Sequence, residues 1–233
     1  MSRQLLLEII PAPDPTFDNT LVGPNAGAID AARGLQPGRA LYLWGPPGSG
    51  RSHLLKALAG SRPSIYMDST STPDEILGLA TSSSLTLNAE LIAVDDIHEM
   101  GTEQLAGVFA LYNRWRESAT TSKAFAIAVT GDHAPMAMPL REDLRTRLGW
   151  DLVFRLEPLS DDDKSAALKT HAHQLGLPLS DEVLGWMLTH YSRDIRQLFA
   201  LVDAIDRYSL SKHRAVTVPL MRAMLSDREF LQS

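Results

Sequence analysis

A parallel α/β sheet with helices on both faces, followed by a small all-α domain, is the fold class this sequence predicts. Three observations predict it. Between residues 26 and 156, short apolar runs alternate with helix-patterned segments. Such alternation, with strands apolar along their whole length, belongs to a parallel sheet covered on two sides. The run Ala40-Leu41-Tyr42-Leu43-Trp44 passes through a glycine-rich loop straight into a helix pattern. After Pro158 the strand patterns stop and only helical ones continue.

The chain has 233 residues, enough to bury a sizeable core in one large or two modest domains. It has no cysteine, which excludes a disulfide framework and a thiolate metal site. The N-terminus lacks the basic start and apolar stretch of a secretion signal, and no apolar run approaches membrane-spanning length, so the expectation is a cytoplasmic protein. A net charge of −6 argues against a broad electrostatic grip on DNA, which needs many phosphate-neutralising cations. A local basic patch is compatible with it.

Taken in order, residues 1–10 form a short apolar peptide, and Pro11, Pro13 and Pro15 set it off as an extended tether, residues 1–16 together. An edge strand is the plain alternative for Gln4-Leu5-Leu6-Leu7-Glu8-Ile9. Residues 17–25 are turn-rich and Ala26 to Arg33 is helical. The spacing then predicts strands over 41–44, 65–67, 91–94, 125–129 and 152–156. Helices are predicted over 52–59, 73–79, 102–118 and 140–148. On the 102–118 helix, Leu105, Val108, Phe109, Tyr112 and Trp115 recur at helical spacing and read as core contacts. The sheet domain is thus expected over residues 17–157 and a helical domain over 158–233. In the latter, Ser160 with Asp163 forms a capping box, Ser180 caps a second helix, residues 193–210 form a third, and Thr217 with Pro219 starts a fourth that runs to the end.

The chemistry begins at Gly45-Pro46-Pro47-Gly48-Ser49-Gly50-Arg51-Ser52-His53. Gly45, Gly50 and Ser52 match the P-loop spacing, with Arg51 where lysine is usual. Gly48 and Gly50 let successive backbone N–H groups turn inward onto phosphate oxygens, and the helix presents its positive end to the same anion. Ser52 offers a hydroxyl to Mg²⁺, and Arg51 a permanent positive charge to the phosphates. A guanidinium is a broad fork where an ammonium is a point charge, so binding is expected to survive while hydrolysis by this chain is slow or absent. Leu91-Ile92-Ala93-Val94-Asp95-Asp96 is an apolar strand ending in two acids. Asp95 would serve Mg²⁺, and Asp96 would orient an attacking water. Thr130 and Asp132 end the next strand, on the side where parallel sheets bind ligands, and would sense the γ-phosphate. Arg145, Arg147, Arg193 and Arg196 read from spacing as surface arginines. His171 and His173 share no ligand spacing with nearby acids, and no nucleophilic triad is visible.

With these motifs in chain order, the sequence resembles the AAA+ ATPases, and within them the clan of the DnaA replication initiator, from Phe17 to Leu225. The likeness rests on residues 17–19 and 22–25, the loop from Gly45 to Leu55, Val94-Asp95-Asp96-Ile97, Thr130-Gly131-Asp132, Arg147-Leu148-Gly149-Trp150 and Arg193-Asp194-Ile195-Arg196-Gln197-Leu198. Within the clan it is most similar to the Hda family of initiator regulators. The basis is Arg51-Ser52-His53-Leu54-Leu55, Leu159-Ser160-Asp161-Asp162-Asp163-Lys164, the expected lack of a DNA-binding helix-turn-helix domain after the lid, and the N-terminal peptide.

That resemblance implies an AAA+ P-loop domain with a helical lid. Gly45, Pro46, Pro47, Gly48, Ser49, Gly50, Arg51, Ser52 and His53 would hold ADP or ATP, with Ser52 and Asp95 toward Mg²⁺. Asp96 would act beside Asp95, Asp132 as sensor 1 and Arg196 as sensor 2, and residues 17–22 would line the adenine pocket. Arg147 would be an arginine finger acting in a neighbour's site. Gln4, Leu5, Leu7 and Ile9 resemble a peptide that binds the β sliding clamp of DNA polymerase III, with Leu6 and Glu8 departing from the usual pattern. The implied function is negative regulation of replication initiation: docking on the DNA-loaded clamp and stimulating hydrolysis of DnaA-bound ATP, without sequence-specific DNA binding. A DnaA-like initiator or helicase loader, or a non-stimulating adaptor, are the alternatives, and a homo-oligomer through the finger surface is conceivable.

Overall fold

In the computed structural model, which describes residues 13–81, 89–192 and 194–227, every predicted strand and helix is present. The first unit, Pro15–Pro158, carries α1 (Ala26–Arg33), β1 (Ala40–Trp44), α2 (Arg51–Gly60), β2 (Ser64–Met67), α3 (Pro73–Thr81), β3 (Leu91–Val94), α4 (Thr102–Ser118), β4 (Ala126–Gly131), α5 (Glu142–Leu148) and β5 (Leu152–Arg155). The strands form one five-stranded sheet, all pairs parallel, in the order β2-β3-β4-β1-β5.

Strand alternation divides the core in two. Leu41, Leu43, Leu91, Ala93, Ala126 and Ala128 point to one face, against Ile29 of α1 and Leu54, Leu55 and Leu58 of α2. Tyr42, Ile92, Val94, Ile127 and Val129 point to the other, against Ile76 of α3, Val108, Leu111, Tyr112 and Trp115 of α4, and Leu144 and Leu148 of α5. The sheet is therefore covered on both sides. α3 and α4 pack closely because Gly107 leaves room for Ile76, whose Cγ2 lies 2.7 Å from where a Cβ would stand.

The differences from the predicted boundaries have local causes. β4 extends to Gly131, which pairs with Trp44 and where a Cβ would collide with the Tyr42 hydroxyl. That hydroxyl donates to the His133 carbonyl at 2.8 Å. α5 starts at Glu142 instead of Leu140, since Arg141 stays non-helical as its N-cap. Short 3₁₀ turns over 23–25, 97–99 and 135–137 carry no periodic pattern and were not expected.

Asp151 fastens β5 to the start of β1. It accepts from Arg39 Nε at 2.7 Å and from the Ala40 N–H at 2.9 Å. The hydrogen bond from Arg39 holds its carboxyl below the usual range, against the opposing effect of burial. A lowered folded-state pKa stabilises the fold above the unfolded value near 4, and that stabilisation is lost as pH falls through the folded value. Arg39 is half exposed, so Asp151→Asn is expected to cost only about 1 kcal/mol at neutral pH. Melting curves across pH test it: the gap between wild type and variant should close in acid, and a gap independent of pH would refute the assignment.

The second unit, beginning at Leu159, is helical: α6 (Asp161–Gln174), α7 (Asp181–His190), α8 (Ile195–Lys212) and α9 (Val218–Ser226). The Ser160–Asp163 capping box forms, and Ser180 and Thr217 cap α7 and α9. α8 begins after Asp194, whose side chain accepts from the Arg196 N–H. Leu168, Val183, Met187, Leu198, Leu201, Ile205, Met221 and Met224 close its core. α9 ends at Ser226, short of the chain end; residues 228–233 lie outside the described residues.

Candidate functional site

The loop after β1 is shaped by its glycines. Gly48 (φ 79°) and Gly50 (φ 91°) both adopt left-handed conformations that disfavour side chains. At Gly45 the need is for close approach, because a Cβ would collide with the Leu156 carbonyl oxygen. No side chain caps α2 at Gly50, so its first N–H groups stay open toward the loop. Ser49 is buried and its hydroxyl has no hydrogen-bond partner among the described residues.

At the carboxyl ends of β3 and β4 the polar groups interlock. Asp95 is 4% exposed. Its Oδ1 accepts from Ser52 Oγ at 3.1 Å, Thr130 Oγ1 at 2.6 Å and the Asp96 N–H at 3.1 Å. The Tyr66 hydroxyl, from β2, donates to Oδ2. Burial and then the bond to Asp95 push the Tyr66 phenol well above its usual range, so it remains a donor. Asp96 takes a left-handed conformation (φ 43°), and its N–H donates to Thr130 Oγ1 at 2.7 Å. Thr130 is fully buried, a bracket between the two acids with no surface for sensing a ligand, which corrects the sequence expectation. Tyr66 was missed altogether. Its signal was its place one residue from the end of the strand adjoining β3, opposite Ala93.

Arg51 is also differently placed than expected. Its side chain is 10% exposed. One Nη donates to the Gly45 carbonyl and the other to Asp96 Oδ1 at 3.0 Å. The charge expected to face phosphate, and the acid expected to orient water, are here each other's partners.

Asp132 lies beside two imidazoles, His133 Nδ1 at 2.9 Å and His98 Nδ1 at 4.0 Å. Burial alone would raise its pKa; the His133 bond and the two imidazole charges more than offset it, so the carboxyl is held below its usual range. His53, on α2, meets Thr20 Oγ1 at 2.9 Å. That contact ties the segment after Phe17 to α2, and Arg33 lies 5.3 Å over the Phe17 ring.

Arg147 lies on α5, its guanidinium carbon over the Phe109 ring, 3.5 Å from the centroid. It donates to the Phe109 carbonyl at 3.1 Å and to Asn113 Oδ1. Trp150 is 5.3 Å away, itself covered by Arg116 at 4.7 Å. A groove of about 630 Å³ opens beside it, lined by Arg141, Glu142, Asp143, Thr146, Arg147 and Trp150. Phe109 is half-buried and packs against the core as its spacing suggested, and its ring also serves as a platform for Arg147.

In the helical unit, Arg196 Nη2 pairs with Asp194 Oδ2 at 2.8 Å. His171 meets Asp203 at 2.6 Å, an acid its own helix did not reveal. Gln4, Leu5, Leu7, Ile9 and Arg193 fall outside the described residues. Among the described residues, no three His, Asp or Glu side chains gather to hold a metal, and no helix is long and apolar enough to cross a membrane.

Comparison with known proteins agrees with this architecture. Residues 161–225 match the family model described as "Hda, lid domain". An uncharacterised protein of Haemophilus influenzae is 30% identical over 239 residues, covering 97% of this chain and all of its own. Domain III of the Thermotoga maritima replication initiation protein DnaA superposes with a TM-score of 0.64 at 20% identity, over 96% of this chain and all of that one. The Thermotoga maritima RuvB Holliday junction branch migration motor gives 0.61 at 14% identity, over 95% of this chain and 75% of its own. AMPPCP-bound DnaA from Aquifex aeolicus gives 0.61 at 16%, over 85% and 67%. The sheet order, the glycine loop, the paired acids of β3 and the matched helical lid together place the chain in the Hda family of DnaA-related AAA+ proteins.

Proposed function

We propose that this chain is a nucleotide-holding regulator of replication initiation, which binds ADP or ATP itself and promotes hydrolysis of ATP on a DnaA initiator. The observation that carries the reading is the Arg51–Asp96 pair. A site whose second acid is engaged by neighbouring side chains, Arg51 at 3.0 Å and His98 beside the same oxygen at 3.9 Å, is suited to hold a nucleotide and poorly suited to activate water. The catalytic contribution is then sought outside it, at Arg147.

The residues fit a nucleotide. The open N–H groups of α2 and the Ser49 hydroxyl, unpartnered among the described residues, suit phosphate oxygens, and residues 17–22, joined to α2 by the Thr20–His53 contact, would border a base. They fit Mg²⁺ as well. Ser52 and Asp95 supply one hydroxyl and one carboxylate, and phosphate and water would complete the octahedron. Bound there, the ion would neutralise phosphate charge. Ser52 and Asp95 hold each other in place for it, while Thr130 and Tyr66 fix the carboxylate. Asp132 and the lid residue Arg196 are assigned to the γ-phosphate side on the resemblance. The domain limits 1–16, 17–157 and 158–233 are part of the same reading, as is cytoplasmic location.

The N-terminal peptide, through Gln4, Leu5, Leu7 and Ile9, would dock the chain on the DNA-loaded β clamp. Tethering raises effective concentration, so a weak peptide suffices. The test is hydrolysis of ATP prebound to purified DnaA with DNA-loaded clamp. Wild type should stimulate it, and Gln4→Ala should lose most of the stimulation only when the clamp is needed. Absence of stimulation by folded, nucleotide-bound wild type would shift the reading to a helicase loader or a passive adaptor.

A further inference from the structure

We propose that Asp96 is an internal competitor for phosphate: it holds Arg51 in a latch at the glycine loop, and nucleotide binds by drawing Arg51 away from it. This rests on the reading of the loop as a nucleotide site and adds how its affinity is set. Arg51 is pinned on two sides, by the Gly45 carbonyl at the head of the loop and by Asp96 Oδ1 at the end of β3. A planar fork satisfies both partners at once; a lysine ammonium on its flexible stem is not pre-organised to do so. The latch is thus a property of arginine at this position.

A second observation supports an exchange of partners. His98 Nδ1 is buried without a hydrogen-bond partner among the described residues, 3.9 Å from the same Asp96 oxygen that Arg51 holds and 4.0 Å from Asp132 Oδ1. It is placed to take over Asp96 when Arg51 leaves. Asp96 itself need not move, because its backbone N–H is fixed to Thr130 and to Asp95. A phosphate bearing two charges outcompetes a single carboxylate for the fork, so the latch yields to a di- or triphosphate and resists a nucleoside.

Calorimetric titration of the full chain with ADP and with adenosine tests this, using wild type, Asp96→Asn, Arg51→Gln and the double variant. Asp96→Asn should tighten ADP by about tenfold, the scale of coupling between directly interacting charged groups, and leave adenosine unchanged. The gain should vanish in the Arg51→Gln background. A gain that persists there would mean plain repulsion between Asp96 and phosphate and would overturn the latch. Unchanged or weaker ADP binding would mean that Asp96 supports Arg51 instead of competing, and would overturn it too. If Asp96→Asn melts early, Asp96→Ala serves, with the same expected direction. Failure of wild type and every folded variant to bind ADP would instead remove the nucleotide reading, and the latch with it.

Discussion

Arg147→Ala is expected to abolish stimulation of hydrolysis on the initiator, by about 10³-fold or more, while leaving this chain's own nucleotide affinity unchanged. An arginine supplied in trans acts by neutralising charge that develops on the transferring phosphoryl group, so its loss falls on the rate and not on docking. The structure adds why the position is sensitive. The guanidinium carbon lies over the Phe109 ring, and Asn113 and the Phe109 carbonyl take the guanidinium N–H groups. That support lowers the entropy a free arginine would lose on entering a partner's site. Phe109→Ala should therefore reduce stimulation by a smaller factor, about 10-fold, and Arg147→Lys should rescue little, since an ammonium does not stack or fork. Single-turnover hydrolysis of initiator-bound ATP reads all three. Full stimulation by Arg147→Ala, with Gln4→Ala inactive, would end the finger assignment while leaving the tethering role in place.

Thr130→Val should be the most damaging single change at the strand ends. The side chain is fully buried, and valine keeps its shape while deleting the hydroxyl. Asp95 then loses its Thr130 donor at 2.6 Å, and the Asp96 N–H loses its acceptor at 2.7 Å. Leaving a buried carboxylate short of a donor, and the Asp96 N–H with only its longer bond to Asp95 Oδ1, costs about 2–3 kcal/mol. For a chain of this size that is a fall in melting temperature of about 4–10 °C. Nucleotide affinity should fall with it, because Asp95 and Asp96 no longer hold their relative positions. Thr130→Ser, which restores the hydroxyl, should recover both. A Thr130→Val protein that melts within a degree of wild type would show that the bracket contributes nothing.

Much of the frame was legible along the chain because its determinants are local. β3 over Leu91–Val94 and α4 over Thr102–Ser118 fall where apolar runs and helical spacing put them. The Ser160–Asp163 capping box is complete within four residues, so reading it needed no fold. Gly48 and Gly50 announced a loop that turns through left-handed backbone, and it does.

The content of the site was less legible, for a physical reason. Arg51 and Asp96 stand 45 residues apart, Ser52 and Asp95 43, Tyr66 and Asp95 29, and Arg147 and Asn113 34. Periodicity carries no information about such pairs; they meet because β3 lies between β2 and β4 and because α5 lies against α4. Thus the residue types at Gly45–Ser52 and at Asp95–Asp96 determined, by themselves, that a glycine-rich loop and a pair of acids end two strands of a parallel sheet. Only the tertiary structure decided that Arg51 is spent on Asp96, that Tyr66 and Thr130 hold Asp95, and that Phe109 carries Arg147. Charge and hydrogen-bonding capacity are written in each side chain, but partners are chosen by strand order and helix packing.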